Sequence, residues 1–372
     1  MKYLIYISLL FFLFAGENRL SAQDNFYQRL GKAPVNGGFE MEDYWVWGSS
    51  VIKGEDGKYH MYASRWPKYL KFHPGWMVAS EIVHAISDTP EGPYTFHDVA
   101  LGPRGAQYWD GRSCHNPKVV EHNGEYILYY MGSTHPFEEL DKESAAQLTL
   151  SSKWCIAGRW GKRIGLATSK SPFGPWKRLD QPILEVQPDS FYSFLTSNPS
   201  PLIREDGSAV LMFKGRSYQS DSISHTGMAI GLAIAPSYDG EYKVVGEEPL
   251  FSKDHFGEIE DPHLWRDEQG YHMIAKDMTG AIINHHHGGI IAHSPDGIHW
   301  TPEGQPLAYT RSVHWDDGSL VEQGQLERPF VLVEAGKASH IFFATMDGPG
   351  GFSKGTKSWN MVIPLKEGEA LK

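Results

Sequence analysis

Short runs of β-branched and aromatic residues recur along the chain, and pairs of these runs flank a turn dipeptide. The first pair, residues 51–52 and 59–62, flanks Asp56-Gly57. A Gly-containing turn between two apolar runs is a strong signal for a β-hairpin. The same arrangement recurs around residues 123–124, 206–207, 269–270 and 335–336. The pattern therefore predicts five hairpins.

Four of these hairpins open with a dipeptide that ends in proline, seven or eight residues before the turn glycine. The four dipeptides are Asn116-Pro117, Asn198-Pro199, Asp261-Pro262 and Arg328-Pro329. Proline at the first position of a strand is tolerated because that position needs no ladder donor. We therefore expect these prolines to begin equivalent strands.

A second apolar run follows the early hairpins and ends in a turn rich in Pro and Gly. It recurs at residues 81–94, 163–176, 229–242 and 289–300, and residues 358–364 form a last strand. Each unit is thus two hairpins, and repetition of four antiparallel strands is typical of a β-propeller. We predict an all-β fold, a five-bladed propeller in which the proline dipeptides converge at one mouth. A pair of β-sandwiches is the alternative, and residues 137–148 predict one short helix.

The first residues are typical of a secretory signal peptide. Lys2 precedes an apolar run over residues 3–15, and a small residue, Ala22, precedes the expected cleavage point. The run is shorter than the roughly 20 residues of a membrane span. Because no cysteine precedes Cys114, we expect no lipid anchor. The prediction is an exported protein, periplasmic or secreted, with residues 23–372 forming one domain.

Composition narrows the classes of partner. The chain has 45 acidic and 34 basic residues, a formal net charge of -11, and no run of Lys and Arg that would favour nucleic acid. Aromatic residues make up 13%, which suits a surface that stacks on ring-shaped ligands. The two cysteines, Cys114 and Cys155, either pair or stay as buried thiols. We expect no cofactor, no metal and no membrane span.

The repeated pattern resembles the five-bladed propeller glycoside hydrolases. The Asp-Pro, strand, turn and strand order, followed by Ile164-Gly165-Leu166-Ala167 and Gly174-Pro175-Trp176, is similar to glycoside hydrolase family 43 and to the family 117 anhydro-galactosidases. The resemblance covers residues 43–365. It implies removal of terminal sugars from plant or algal polysaccharides or oligosaccharides, with xylosidase, arabinofuranosidase or related galactosidase activity and inversion at the sugar.

Glycoside hydrolysis needs two carboxyl groups on either side of the scissile bond, one protonated and one ionised. Glu327 is our first choice for the general acid, and Asp261 for the second catalytic carboxylate. Asp43 is the candidate base, because Trp45 and Trp47 beside it could form a sugar subsite. Asp110 is a rival base.

The expected substrate contacts are polar or aromatic side chains near the predicted mouth. They are Trp45, Trp47, Arg65, His115, Asn116, Asn198, His314 and Arg328. The resemblance to family 117 implies a proton-donor role for His314. His285, His286 and His287 are not predicted to bind a metal together, because neighbouring strand residues point to opposite faces.

Two other classes stay open. A carbohydrate-binding propeller without turnover would fit Gly48, Asn116 and Asn198, which stand where family 43 relatives carry acidic residues. A polysaccharide lyase would need a base and a charge neutraliser, such as His115 with Arg328.

Overall fold

The computed structural model describes residues 25–219 and 224–367, so the predicted signal peptide lies outside the described residues. Antiparallel sheets follow one another in chain order and form the five blades of a propeller. The predicted all-β fold class is confirmed.

The first two blades each contain four strands that pair in chain order. Blade 1 consists of β1 (Tyr44–Lys53), β2 (Tyr59–Pro67), β3 (Glu81–Ser87) and β4 (Thr95–Leu101). Blade 2 consists of β5 (Ser113–His122), β6 (Glu125–Ser133), β7 (Arg163–Ser169) and β8 (Lys177–Arg178).

The next two blades repeat this order. Blade 3 consists of β9 (Leu195–Ile203), β10 (Ala209–Arg216), β11 (Ala229–Ala235) and β12 (Lys243–Val244), and the short β13 (Phe251–Ser252) also pairs with β11. Blade 4 consists of β14 (Ile259–Asp267), β15 (Gly270–Asp277), β16 (Gly289–Ser294) and β17 (Thr301–Tyr309). A separate small hairpin follows, β18 (Ser312–His314) with β19 (Leu320–Glu322).

Blade 5 combines three strands near the end of the described chain with a segment near its beginning. Its regular strands are β20 (Gln325–Glu334), β21 (Lys337–Met346) and β22 (Ser358–Pro364). Residues 30–39 run along the outer edge of β22, where Phe39 and Asn360 exchange backbone hydrogen bonds of 2.8 and 3.0 Å. This N-terminal segment therefore takes the fourth position of the blade and closes the ring.

Helices are short and lie outside the sheets. They are α1 (Phe26–Arg29), α2 (Phe72–Ala79), α3 (Lys142–Ala146) and α4 (Lys153–Trp160), with one 3-10 turn at Gly351–Ser353. The helix predicted within residues 137–148 corresponds to α3. The sequence pattern missed α4 because this helix buries only Cys155 and Gly158 and has no apolar stripe. Cys155 and Cys114 are both buried and unpaired.

The hydrophobic core consists of layers between neighbouring blades. Between blades 5 and 1, for example, Val46 and Met61 pack with Phe330 and Phe342. Comparable clusters join the other neighbouring blades. The blades are thus held mainly by apolar burial, which is favourable by roughly 25 cal/mol for each Å² removed from water.

Each innermost strand carries a one-residue bulge, and the extra residue has a left-handed backbone. The five residues, with φ between 49° and 59°, are Gly48, Asn116, Asn198, Asp261 and Arg328; we call them the axial ring. In four blades a proline follows the ring residue. The strands begin a few residues before these prolines, not at them as predicted. Proline is accepted inside the strand because the bulge leaves its position outside the ladder.

Hydrogen bonds join the ring side chains from blade to blade. The Asn116 amide donates to Asn198 Oδ1 at 3.1 Å, and the Asn198 amide donates to Asp261 Oδ1 at 2.6 Å. Arg328 donates to Asp261 through its guanidinium and its backbone N–H. At Gly48, an added Cβ would lie 3.2 Å from Arg328 Cγ, so the fifth position suits glycine. The predicted convergence of the proline dipeptides is confirmed.

The longest loops lie at the end of the ring where the innermost strands begin, which we call the mouth. Since strands alternate in direction, the loop between the second and third strand of every blade returns to this end. The loop of blade 1 contains α2, and that of blade 2 contains α3 and α4. Insertions from two neighbouring blades therefore cover one side of the mouth.

Asn198 tests the contribution of the ring. Asn198→Ala removes both amide hydrogen bonds and places an alanine in a left-handed conformation, so we expect the free energy of unfolding to fall by roughly 2–4 kcal/mol. Asn198→Gly loses the hydrogen bonds but tolerates the backbone, and we expect a smaller loss of about 1–2 kcal/mol. Urea denaturation measures both. A glycine variant less stable than the alanine variant would contradict the backbone part of this account.

Candidate active site

One residue of every innermost strand directly precedes the axial ring and lies at the mouth. These mouth positions are Trp47, His115, Ser197, Glu260 and Glu327. A bulge changes the direction of the side chains next to it. Two of the five positions are acidic, Glu260 in blade 4 and Glu327 in blade 5. Because each directly precedes its bulge, the two residues occupy equivalent places in neighbouring blades.

Glu260 accepts a hydrogen bond of 2.5 Å from Lys214 Nζ, which reaches across from blade 3. The Glu260 side chain is 14% exposed. Burial alone would raise its pKa, but the positive charges of Lys214, Arg328 and Lys276 outweigh burial and hold the pKa of Glu260 well below its usual range. Glu260 is therefore ionised at neutral pH.

Glu327 is more deeply enclosed. Its side chain is 5% exposed, and its Oε1 accepts a hydrogen bond from Lys276 Nζ. Burial raises the pKa of Glu327, and the nearby negative charge of Glu260 adds to the rise, whereas Lys276 acts against it. Two neighbouring carboxyl groups with pKa values moved in opposite directions are the arrangement that acid and base catalysis requires.

His115 lies under the helices that cover the mouth. Its Nδ1 is 2.8 Å from Ser80 Oγ, and its ring stacks on Trp76 with a centroid distance of 4.8 Å. Burial lowers the pKa of His115 far below its usual value, so the imidazole is neutral. Lys162 Nζ lies 4.2 Å from the centroid of Trp76 on the same side of the mouth.

The structure places Trp45 and Trp47 in an aromatic cluster. The Trp45 indole donates to Leu70 O at 2.9 Å, and only 8% of the residue is exposed. Phe72 and Phe352 contact the ring of Trp47, which is 2% exposed. Neither indole presents a free face to the mouth.

Asp110 has no exposed surface. Its carboxylate accepts hydrogen bonds from Arg104 at 2.6 Å, from the Tyr130 hydroxyl at 2.7 Å and from Arg178 at 3.3 Å. These partners come from the loop before β5, from β6 and from β8, so Asp110 joins elements of blade 2. Arg65 is likewise held, by Glu81 at 2.8 Å.

Asp43 and His314 are exposed and lie on different parts of the chain. Asp43 belongs to the turn before β1, where its backbone oxygen accepts from Lys68 N at 3.0 Å. His314 ends β18, and its backbone oxygen accepts from Ala33 N at 2.8 Å. His314 thus lies beside the N-terminal segment, while Glu327 belongs to the innermost strand of blade 5.

The structure brings together Asn116, Asn198, Asp261 and Arg328 in the axial ring, with Glu327 directly before it. The sequence reasoning did not select Glu260, Lys214 or Lys276. A signal for Glu260 exists: Glu260-Asp261-Pro262 and Glu327-Arg328-Pro329 align at the openings of blades 4 and 5. The lysines lie on second strands, and no motif marks them.

Histidines offer one group that could hold a metal ion. Among residues 25–219 and 224–367, His84, His97 and Asp98 each place a ligand atom within 4.8 Å of the other two. They belong to the outer strands of blade 1, not to the mouth. Of the three consecutive histidines, His287 is half-buried, and burial lowers its pKa to about 4.

No helix in the described ranges is both long and apolar enough to cross a membrane.

The comparisons with known proteins agree with this architecture. No protein-family model matches the chain, and no curated protein matches it. Among solved structures, a family 117 glycoside hydrolase of the marine bacterium Zobellia galactanivorans is similar with a TM-score of 0.61 and 17% identity, over 90% of this chain and 87% of that one.

Two further structures are similar over most of their length. A family 43 β-xylosidase/α-arabinofuranosidase from a compost microbial metagenome has a TM-score of 0.55 and 17% identity, over 89% of this chain and 96% of that one. An endo-arabinase of Bacteroides thetaiotaomicron has a TM-score of 0.52 and 13% identity, over 92% and 99%. The fold is therefore that of the five-bladed propeller glycoside hydrolases.

Asp110 and Asp180 bind the same arginine, Arg104, and form a matched pair for mutation. Asp110→Asn removes the buried carboxylate that Arg104 and Arg178 share, so we expect the free energy of unfolding to fall by about 2–4 kcal/mol. Asp180 is exposed, and Asp180→Asn should cost less than about 0.5 kcal/mol. Chemical denaturation distinguishes the two, and equal losses would contradict a structural role for Asp110.

Proposed function

We propose that the protein is an exo-acting glycoside hydrolase that removes terminal sugars from plant or algal oligosaccharides. The observation that carries this proposal is the pair Glu260 and Glu327, two buried carboxyl groups at equivalent positions whose pKa values move in opposite directions. Glycosidases need such a pair, one carboxyl protonated and one ionised. The similarity in fold to family 43 and 117 enzymes supports the same class.

In the proposed mechanism Glu327 is the general acid. Its raised pKa favours the protonated carboxyl, and in this proposal that proton passes to the glycosidic oxygen as the bond to the sugar breaks. Glu260, ionised beside Lys214, accepts a proton from the attacking water. We propose inversion at the sugar, as the resemblance to family 43 implies.

Asp261 is assigned a positioning role in this proposal. It receives hydrogen bonds from Asn198 and Arg328 and so fixes the backbone on which Glu260 lies. We assign Asp110 to the structure of blade 2, and Trp45 and Trp47 to the packing of the loops. Asp43, the base expected from the sequence, is the alternative to Glu260 in this role, because it is exposed at the same end of the molecule.

The small exposed fraction of both carboxyl groups supports exo action. Helices α2 and α4 also cover the side of the mouth that blades 1 and 2 form, and a mouth narrowed in this way admits the end of a glycan more readily than its middle. We further propose that the protein is exported after cleavage behind Ala22, with residues 23–372 forming one domain.

Single isosteric substitutions test the catalytic pair. We expect Glu327→Gln and Glu260→Gln each to lower kcat by roughly 10²–10⁴-fold, the range typical of general acid–base catalysis. Asp43→Asn decides between the two candidate bases, and we expect it to leave turnover nearly unchanged. Chromatography of products released from aryl glycosides and from plant and algal oligosaccharides measures this, with circular dichroism as a check on folding.

The outcomes separate the candidate functions. Loss of turnover in Asp43→Asn but not in Glu260→Gln would transfer the role of base to Asp43. Binding without product from any substrate would favour a carbohydrate-binding propeller, and an unsaturated product would favour a lyase.

The pH profile gives an independent test of the acid. Turnover falls as pH rises through the pKa of Glu327, because the acid loses its proton. Glu260→Gln removes a negative charge that raises this pKa, so the alkaline limb of kcat/KM should move to lower pH. Lys276→Met removes a positive charge that lowers the pKa of Glu327, so the alkaline limb of kcat/KM should move to higher pH. Two shifts of the same sign would contradict the assignment.

A further inference from the structure

Lys162 is a buried lysine that the proposed mechanism does not use. It lies between α4 and β7, and only 6% of the residue is exposed. Its Nζ contacts the ring of Trp76 at 4.2 Å. Within residues 25–219 and 224–367, no carboxylate forms an ion pair with it. A buried ammonium without a counter-charge is strongly unfavourable.

The four charged groups with the largest effect on Lys162 are positive. They are Lys214, Arg159, Arg216 and Arg328, and together with burial they lower the pKa of Lys162 far below its usual value. Lys214 already has Glu260 as its partner. The Arg216 guanidinium donates to the backbone oxygen of Thr226 at 2.6 Å, and Arg159 donates to that of Leu150 at 3.2 Å. Arg216 and Arg159 thus donate to backbone oxygens, although the charges of Glu260 and Glu258 also act on Arg216.

Backbone contacts place Lys162 beside blade 3: its backbone oxygen accepts from Thr196 N at 3.4 Å, and the next residue, Ser197, pairs with Lys214. A groove opens on the surface between blades 2 and 3 next to these strands. It has a volume of about 620 Å³, and its lining includes Trp160, Arg163, Ser217 and Tyr218, together with the acidic residue Asp189.

Arg163 is paired with Glu185 at 2.9 Å. Arg163 and Ser217 directly follow Lys162 and Arg216 in the chain. The exposed indole of Trp160 offers a surface on which a sugar ring could stack.

We propose that Lys162, Lys214 and Arg216 form a subsite for an anionic group on the substrate, the carboxylate of a uronate or a sulfate ester. Charge-assisted hydrogen bonds to such a group would supply the missing counter-charge beside Glu260. The role in turnover rests on the proposed hydrolase function, whereas binding of the anion does not.

The first test measures binding alone. Thermal unfolding is recorded with sulfate, glucuronate, galacturonate and the 6-sulfates of glucose and galactose, and with neutral glucose and galactose. Lys162→Met keeps the aliphatic stem against Trp76 but removes the charge, and Lys177→Met, on exposed β8, is the matched control. We expect at least one anion to raise the Tm of wild type and of Lys177→Met, and to have little effect on Lys162→Met.

The same series separates the outcomes. Stabilisation by uronates alone would identify a carboxylate subsite, and stabilisation by the sulfated sugars a sulfate subsite. Without any anion, Lys162→Met should unfold at the same or a higher temperature than wild type, because a buried amine without a carboxylate partner is gone. The proposal is overturned if no anion stabilises wild type more than Lys162→Met.

A second test applies once turnover is found. Lys162→Met should raise KM for an oligosaccharide with an anionic terminal sugar by roughly ten- to a hundred-fold, the range expected for a lost hydrogen bond to a charged group. KM for the neutral counterpart should be unchanged. Turnover with an equal effect on both substrates would refute the subsite and leave the hydrolase assignment intact.

Discussion

The one-residue bulge in every innermost strand is the constraint on which the rest of the structure depends. It places a left-handed residue at the same height in all five blades, and hydrogen bonds among Asn116, Asn198, Asp261 and Arg328 join four of these positions. A left-handed backbone costs a residue other than glycine roughly 1–2 kcal/mol, which Asn and Asp offset through local hydrogen bonds. The same bulge sets the direction of the preceding side chain. The axial ring therefore fixes the geometry of the mouth.

Above the ring, the charges are arranged in pairs that cross between blades. Lys214 of blade 3 reaches Glu260 of blade 4, and Lys276 of blade 4 reaches Glu327 of blade 5. The positive charge of each lysine also lowers the pKa of the carboxyl group in the other pair. Since water is largely excluded, small differences in burial and in neighbouring charge separate the pKa values of two chemically identical groups. Toward blade 2, Lys162 has no such partner within residues 25–219 and 224–367.

The repeat made most of the fold predictable. Turn glycines and apolar runs gave all five hairpins, and the strand predicted at residues 358–364 is β22. The proline dipeptides also predicted which residues would meet at the axis, because a propeller brings equivalent positions of every blade together. The mouth acid of blade 5, Glu327, follows from the same logic. The local pattern did not predict the bulge. Because of the bulge, the innermost strands begin a few residues before the prolines.

The site itself was less predictable, because its properties depend on residues far apart in the chain. In blade 4 the proline dipeptide predicted Asp261 as the catalytic carboxylate, whereas the residue equivalent to Glu327 is Glu260. Trp47 stands at a mouth position, but Phe352, some 300 residues later, covers its ring. The partners of Asp110 come from three separate elements. Burial and non-local pairing decided these cases, and neither can be read from a sequence motif.

The most direct test of the central claim is a crystal structure of the Glu327→Gln variant with a bound oligosaccharide that the wild-type protein cleaves. The account predicts that the glycosidic oxygen of the terminal sugar lies within hydrogen-bond distance of the residue 327 amide. It also predicts that Glu260 lies on the other side of the same bond, with room for a water molecule. A glycan bound only at the outer surface of the blades, with both carboxyl groups out of reach, would contradict the assignment of this mouth as the active site.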